Sequence, residues 1–160
     1  IRGIGNVKAI QLKCIGELAK RIASTSRREQ ITLQSARSIA EYFMEQLRHE
    51  PQEHLMLAMF DNKSMLIGEK LLSTGTSNAA LISARDIYRT ALQYQAAYVV
   101  VLHNHPSGNP EPSREDILVT RKIKACGELL DILLMDHIII GDNRYFSFRE
   151  QDILFEKGRD

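Results

Sequence analysis

Several residue types that mark whole classes of protein are scarce in this chain. It has no tryptophan, two cysteines and four prolines in 160 residues. Cys14 and Cys126 stand far apart and form no Cys-x-x-Cys pair. That excludes a disulfide framework and makes reduced, cytosolic core cysteines the expectation. No apolar run approaches the ~20 residues of a membrane helix. The longest are strand-sized, such as Ala96–His103, so a cytoplasmic protein without membrane contact is expected. An excess of one charge is missing too. The 21 basic and 20 acidic side chains leave +1, which excludes a dominant electrostatic grip on nucleic acid but allows a local patch. The chain starts at Ile1 with neither Met nor an apolar signal segment and reads as a fragment. What is present is ordinary globular material, 44% hydrophobic and 26% charged, enough for one domain or one domain with a small appendage.

The periodicity alternates between helical and strand spacing. Val7, Ile10, Cys14, Leu18 and Ile22 predict a helix capped by Asn6, followed by a polar joint over Ser24–Glu29. Ala36, Ile39, Ala40, Phe43, Met44 and Leu47 form the stripe of a second helix, closed by Pro51. Leu55–Phe60 and Ser64–Leu72 read as a hairpin around Asp61-Asn62-Lys63. Ser83 then caps a helix with Ile87, Ala91 and Leu92 inward, and Tyr98-Val99-Val100-Val101 is a β-branched strand. A helix after Ser113, with Val119, Ile123, Cys126 and Leu130 inward, leads to strands Ile132–Ile140 and Arg144–Phe148 around a Gly141-Asp142-Asn143 turn. The fold class is α/β, a mixed sheet flanked by helices, with a short N-terminal helical segment.

Three of the four prolines fall between His103-Asn104-His105 and Ser113, where Pro106, Gly108, Pro110 and Pro112 enforce an irregular loop. His103 and His105, two apart on an extended strand, project from one face and can share an ion. Asp116, on the first turn of the following helix, can add a carboxylate oxygen. Two imidazoles and a carboxylate form an N/O donor set that zinc accepts in catalytic sites, with the fourth position left to water. Blander readings stand beside this one. A lone His-x-His pair more often faces solvent, and Ser113-x-x-Asp116 is also a capping box. Their coincidence at the C-terminal end of a buried strand favours the metal site, and capping and catalysis are compatible at Ser113.

His103-x-His105-Pro106, six residues, Ser113, two residues and Asp116 resemble the JAMM (MPN+) metalloprotease signature. The wider run from His103 to Ser113 is similar to the bacterial RadC branch. The resemblance covers roughly residues 30–150, including Gly75-Thr76 and the stretch from Leu130 through Asp136-His137. It implies a cytidine-deaminase-like fold with Zn2+ held by His103, His105 and Asp116. It also implies that Ser113 steadies an oxyanion and that a glutamate from an earlier strand acts as base. Glu53, at the entry to Leu55–Phe60, is the choice over Glu50, Glu69, Glu111 and Glu115, and its neighbour His54 is expected to face away. His137 is expected to be a strand residue bonded to a neighbour rather than a fourth ligand. Ser107 and Asn109 are candidates for substrate contact or for turn formation alone.

The implied activity is a zinc-dependent hydrolysis of peptide or isopeptide bonds in a protein or peptide substrate. Ubiquitin is not the expected substrate, because Asn104 stands where deubiquitinating relatives commonly carry Ser or Thr and no long insertion is visible. Residues 28–160 form the RadC-type JAMM domain in this reading, and residues 1–27 a partial helix-hairpin-helix-like segment. There Gly3, Gly5 and Lys8 would make weak DNA contacts, through which the family's association with DNA repair would enter. The alternative is a non-catalytic DNA-associated module with a structural or vestigial metal site. A zinc nucleobase deaminase is disfavoured, since its His-x-Glu and Cys-x-x-Cys elements are absent.

Overall fold

The computed structural model describes residues 5–28, 35–75 and 83–154. The chain divides into two compact units, Ile1–Ile31 and Thr32–Asp160. The first unit holds α1 (Asn6–Arg28). The helix carries on through Ser24–Arg28, where a joint is expected from sequence. Ser and Thr lower helix propensity, but no Gly or Pro is present there to stop the chain. Val7, Ile10 and Leu18 are exposed, and so is Cys14, which corrects the expectation of a core cysteine. Among the described residues of this unit, α1 is the single element, with no second one on which to bury an apolar stripe.

The second unit runs α2 (Ala36–Leu47), β1 (His54–Phe60), β2 (Leu66–Thr74), α3 (Ala84–Gln93), β3 (Tyr98–Asn104), α4 (Arg114–Leu130), β4 (Leu133–Ile140) and β5 (Tyr145–Ser147). The strands form one sheet in the order β2-β1-β3-β4-β5. Only β3 and β4 are parallel, joined by α4 as crossover; the other neighbours are antiparallel. This is the mixed, helix-flanked sheet that the periodicity implies. Asp61 Oδ1 accepts from the backbone N–H of Lys63 and Met65, which keeps Ser64 in the turn and delays β2 to Leu66. None of the described helices is long and apolar enough to cross a membrane.

Strand residues alternate between two buried faces. Leu55, Leu57, Met59, Val99, Val101 and Ile139 pack with Ile87, Tyr88 and Ala91 of α3 and Ile123 of α4. Met56, Ala58, Phe60, Val100 and Leu102 point the other way, toward the side of α2, whose Ile39, Ala40, Phe43 and Leu47 are buried. Central strands covered on both faces read as continuous apolar runs, which is why β1 and β3 are legible without alternation. Leu92 and Leu130 are exposed rather than inward. On α4 the buried stripe is Asp116, Thr120, Ile123 and Gly127. It starts with polar residues because that end of the helix faces polar partners instead of the apolar core.

One such polar tie joins β4 to β5. Asp136 is almost fully buried and accepts hydrogen bonds from Ser147 Oγ (2.6 Å) and the Arg149 backbone N–H (3.0 Å). Burial nevertheless pushes its carboxyl up to about 6, because these donors only partly offset the loss of water around the charge. The folded value lies above the unfolded one, so the fold favours the protonated acid. The contribution to stability is therefore fully present below about pH 4 and lost as pH rises through about 6. In denaturant titrations, the stability of wild type minus that of Asp136→Asn should fall by roughly 1–3 kcal/mol between pH 4 and 7, at about 1.4 kcal/mol per pKa unit. A difference that stays level over this range would show that Asp136 ionises in the fold as it does in water.

Candidate metal centre

β3 ends where the apolar run of the sheet ends. His103, on this last turn of strand, pairs with Leu55 of β1 and Ile139 of β4 and is 4% exposed. The His105 backbone N–H donates to Ile140 O at 2.9 Å, extending the ladder by one residue and holding both imidazoles on the same face. The chain then turns at Gly108, whose φ of +76° suits glycine. Its N–H donates to His105 O, and its own carbonyl accepts from Asp142 N–H, so the loop is fastened to the β4–β5 turn. Side-chain oxygens of Ser107 and Asn109 accept from the backbone N–H of Asn109 and Glu111, the turn-forming role among the two expected for them.

Ser113 caps α4. Its Oγ accepts from Asp116 N–H at 3.1 Å, while Asp116 Oδ2 accepts from Ser113 N–H (2.8 Å) and Ser113 Oγ–H (2.6 Å). The capping box is real, and it also anchors one carboxylate oxygen at a helix N-terminus, where negative charge is favoured. Asp116 Oδ1 lies 3.4 Å from His103 Nε2, Oδ2 lies 3.6 Å from His105 Nε2, and the two Nε2 atoms are 3.0 Å apart. His103, His105 and Asp116 each offer a ligand atom within 4.8 Å of the others.

The protonation states of His103 and Asp116 suit a cation. Burial, helped by the neighbouring His105, lowers His103 to about 4 against the pull of Asp116. Burial likewise holds His137 well below the usual imidazole range. The Asp116 carboxylate 3.6 Å away raises His105 despite partial burial. Burial alone would raise Asp116, but the adjacent His105 and His103 imidazoles and the hydrogen bonds from Ser113 outweigh this and keep the carboxyl well below its usual range. His105 Nδ1–H donates to Asn109 O at 2.9 Å, which leaves the Nε2 lone pair facing the cluster. A neutral imidazole, a fixed Nε2 and an ionised carboxylate converge, which is the donor set that a divalent metal requires.

Glu53 stands immediately before β1. Continuing the register of Leu55 with His103 by two residues sets Glu53 opposite His105. Burial raises its carboxyl, His105 opposes the rise and Asp116 adds to it, as expected for a carboxylate at the edge of the cluster. His54 faces away, toward Glu50. Glu69 accepts from the Tyr42 hydroxyl at 3.0 Å on the α2 side, and Glu111 and Glu115 are exposed. Of the N-terminal residues, Gly5 and Lys8 are exposed in the first unit, while Gly3, like Thr76, lies outside the described residues.

In the sequence, Asn104 marks only a departure from deubiquitinating relatives, whereas its structural role is larger. It is 1% exposed and faces opposite to the two histidines. Its Oδ1 accepts from His54 N–H at 2.7 Å, and its Nδ2 donates to Glu50 O and Gln52 O. One amide thereby ties the segment bearing Glu53 to the strand bearing the imidazoles. An amide side chain embedded in an apolar strand is the available signal, because burial obliges it to find partners.

Residues 33–153 match the family model described as RadC-like JAB domain. The chain belongs to this family. A UPF0758 protein of Clostridium novyi is 40% identical over 154 residues, which is 96% of this chain and 68% of the relative. One of Geobacillus is 38% identical over 94% of this chain and 67% of its own length, and one of Bacillus velezensis 40% identical over 96% and 67%. Glu53, His103, His105, Ser113 and Asp116 all fall inside the span matched by the RadC-like model. The RadC-like domain should bind one divalent metal ion per chain in equilibrium dialysis with elemental analysis. His103→Ala should retain almost none, since two ligands hold such an ion poorly. Equal metal content in the two proteins would remove His103 from the ligand set.

Proposed function

We propose that this RadC-like domain is a zinc-dependent hydrolase of amide bonds, peptide or isopeptide, in a protein or peptide substrate. The observation that carries the reading is a carboxylate outside the donor set, Glu53, beside three converging N/O ligands. Zinc takes such mixed imidazole–carboxylate sets, and three protein ligands leave the open position that catalysis needs. When bound in such a site, zinc supplies Lewis acidity that makes a water nucleophilic near neutral pH. Glu53 takes the proton from the attacking water and delivers it to the leaving amine nitrogen as the carbon–nitrogen bond breaks. Its raised carboxyl makes it a better base than an exposed glutamate. Ser113 donates to Asp116 in the resting site, orienting the ligand; turned toward the substrate carbonyl, the same hydroxyl supplies an oxyanion contact. The short connections 105–113 and 141–144 support a substrate smaller than, or different from, a ubiquitin-like fold.

Glu53→Gln tests the reading, because it keeps the size of the side chain and removes its ability to accept a proton. Zinc content should be unchanged, and turnover on a panel of peptide and isopeptide substrates should fall about 10²–10⁴-fold. Turnover undiminished by Glu53→Gln would move the base to another group. A zinc-loaded wild type that cleaves nothing in the panel, yet is retained on DNA in a salt-dependent way, would favour the non-catalytic, DNA-associated alternative.

A further inference from the structure

His103 has a second set of contacts behind the metal centre. Its Nδ1 lies 2.8 Å from His137 Nε2, and His137 Nδ1 lies 2.5 Å from Thr120 Oγ1. Thr120 Oγ1 in turn lies 2.5 Å from the backbone carbonyl of Asp116. His137 and Thr120 are 0% and 2% exposed, so these bonds are shielded from water, and buried polar groups of this kind are held by partners such as these.

The direction of every bond in this chain follows from its far end. A carbonyl oxygen only accepts, so the single hydroxyl hydrogen of Thr120 goes to Asp116 O. Thr120 Oγ1 is then an acceptor toward His137, whose Nδ1 must carry the hydrogen. A neutral imidazole has one N–H, so His137 Nε2 is a lone pair and His103 Nδ1 donates to it. His103 Nε2 is left without a hydrogen, facing His105 and Asp116.

Two features of the fold serve this arrangement. The β3–β4 register slips by one between Leu134 and Asp136, leaving Met135 unpaired. Leu134 opposes Val99 and His137 opposes Val101, so residues three apart in sequence share the face on which His103 lies. Bulges of this kind re-aim side chains beside functional sites. The His137 ring also stacks on Phe148, with centroids 4.9 Å apart and planes at 12°, which fixes its orientation. Thr120 follows Asp116 by one helical turn, so α4 supplies both a ligand and the anchor of the relay.

We propose that Thr120 and His137 are positioning residues that hold His103 in the tautomer whose Nε2 can bind a metal. This rests on the metal-centre reading above. Long-range 1H–15N NMR of the metal-free domain tests the relay directly: His103 Nδ1 should give the shift of a protonated nitrogen and Nε2 that of an unprotonated one. Thr120→Val keeps the shape and removes the hydroxyl, freeing His137 to flip its tautomer and push the hydrogen onto His103 Nε2. The His103 Nε2 signal should move toward the protonated position, and zinc affinity measured by chelator competition should fall about 10–100-fold. Thr120→Ser should restore both. A merely structural role for Thr120 would alter stability without moving the tautomer. A protonated His103 Nε2 in metal-free wild type would overturn the proposal, as would wild-type zinc affinity in Thr120→Val. Failure of wild type itself to bind zinc, with the tautomer as proposed, would instead count against the metal reading alone.

Discussion

The structure depends on how β3 ends. Val99, Val100, Val101 and Leu102 have no exposed surface, and the next residues, His103 and Asn104, are polar and still buried. Buried polar groups without partners cost roughly 1–3 kcal/mol each. The end of the strand is therefore stable only if neighbouring elements bring donors and acceptors to it. Asn104 recruits the approach to β1, His103 recruits His137 of β4, and Asp116 at the start of α4 comes to both histidines. The site is the set of groups that lets a hydrophobic strand terminate inside the protein.

The same requirement divides labour between the two sheet faces. His103 at the end of β3 and His105 just beyond it present their imidazoles on the side of α3 and α4, and Asn104 between them turns to the opposite side, where it fastens the segment bearing Glu53. Helix α4 then adds an anionic ligand at its positive end, already held by its own cap. The His103 imidazole, kept neutral by burial beside a carboxylate kept ionised by its neighbours, forms a site polarised toward a cation before any ion arrives. Such preorganisation matters because ligands that must shed protons or reorient on binding weaken the metal.

Much of this was legible in the chain because the pattern was local. The strands covered on both faces, the Pro-rich loop, the His-x-His pair and the capping box are short-range signals, and the similarity to the RadC branch joined them into one site. Glu53 is a candidate only through the resemblance, which implies a base at the entry to β1; strand alternation adds no more than that its neighbour His54 faces the other way. Contacts between distant elements were not legible. Asn104 acts on residues some fifty positions earlier, and His137 reaches His103 only because of a bulge at Met135 that no periodicity announces. Cys14 of α1 is expected in the core yet is exposed, because spacing reports a face but not what covers it. On α4 the expected inward Leu130 gave way to Thr120, whose burial makes sense only beside His137.

Zinc K-edge X-ray absorption of the zinc-loaded domain tests the central claim most directly, since it reports the identity of the donor atoms rather than the occurrence of binding. The account predicts a first shell of nitrogen and oxygen alone at about 2.0–2.1 Å, with the outer-shell scattering of two imidazoles. A sulfur scatterer at about 2.3 Å would contradict it. So would a shell without imidazole, because either result would place the metal away from the end of β3.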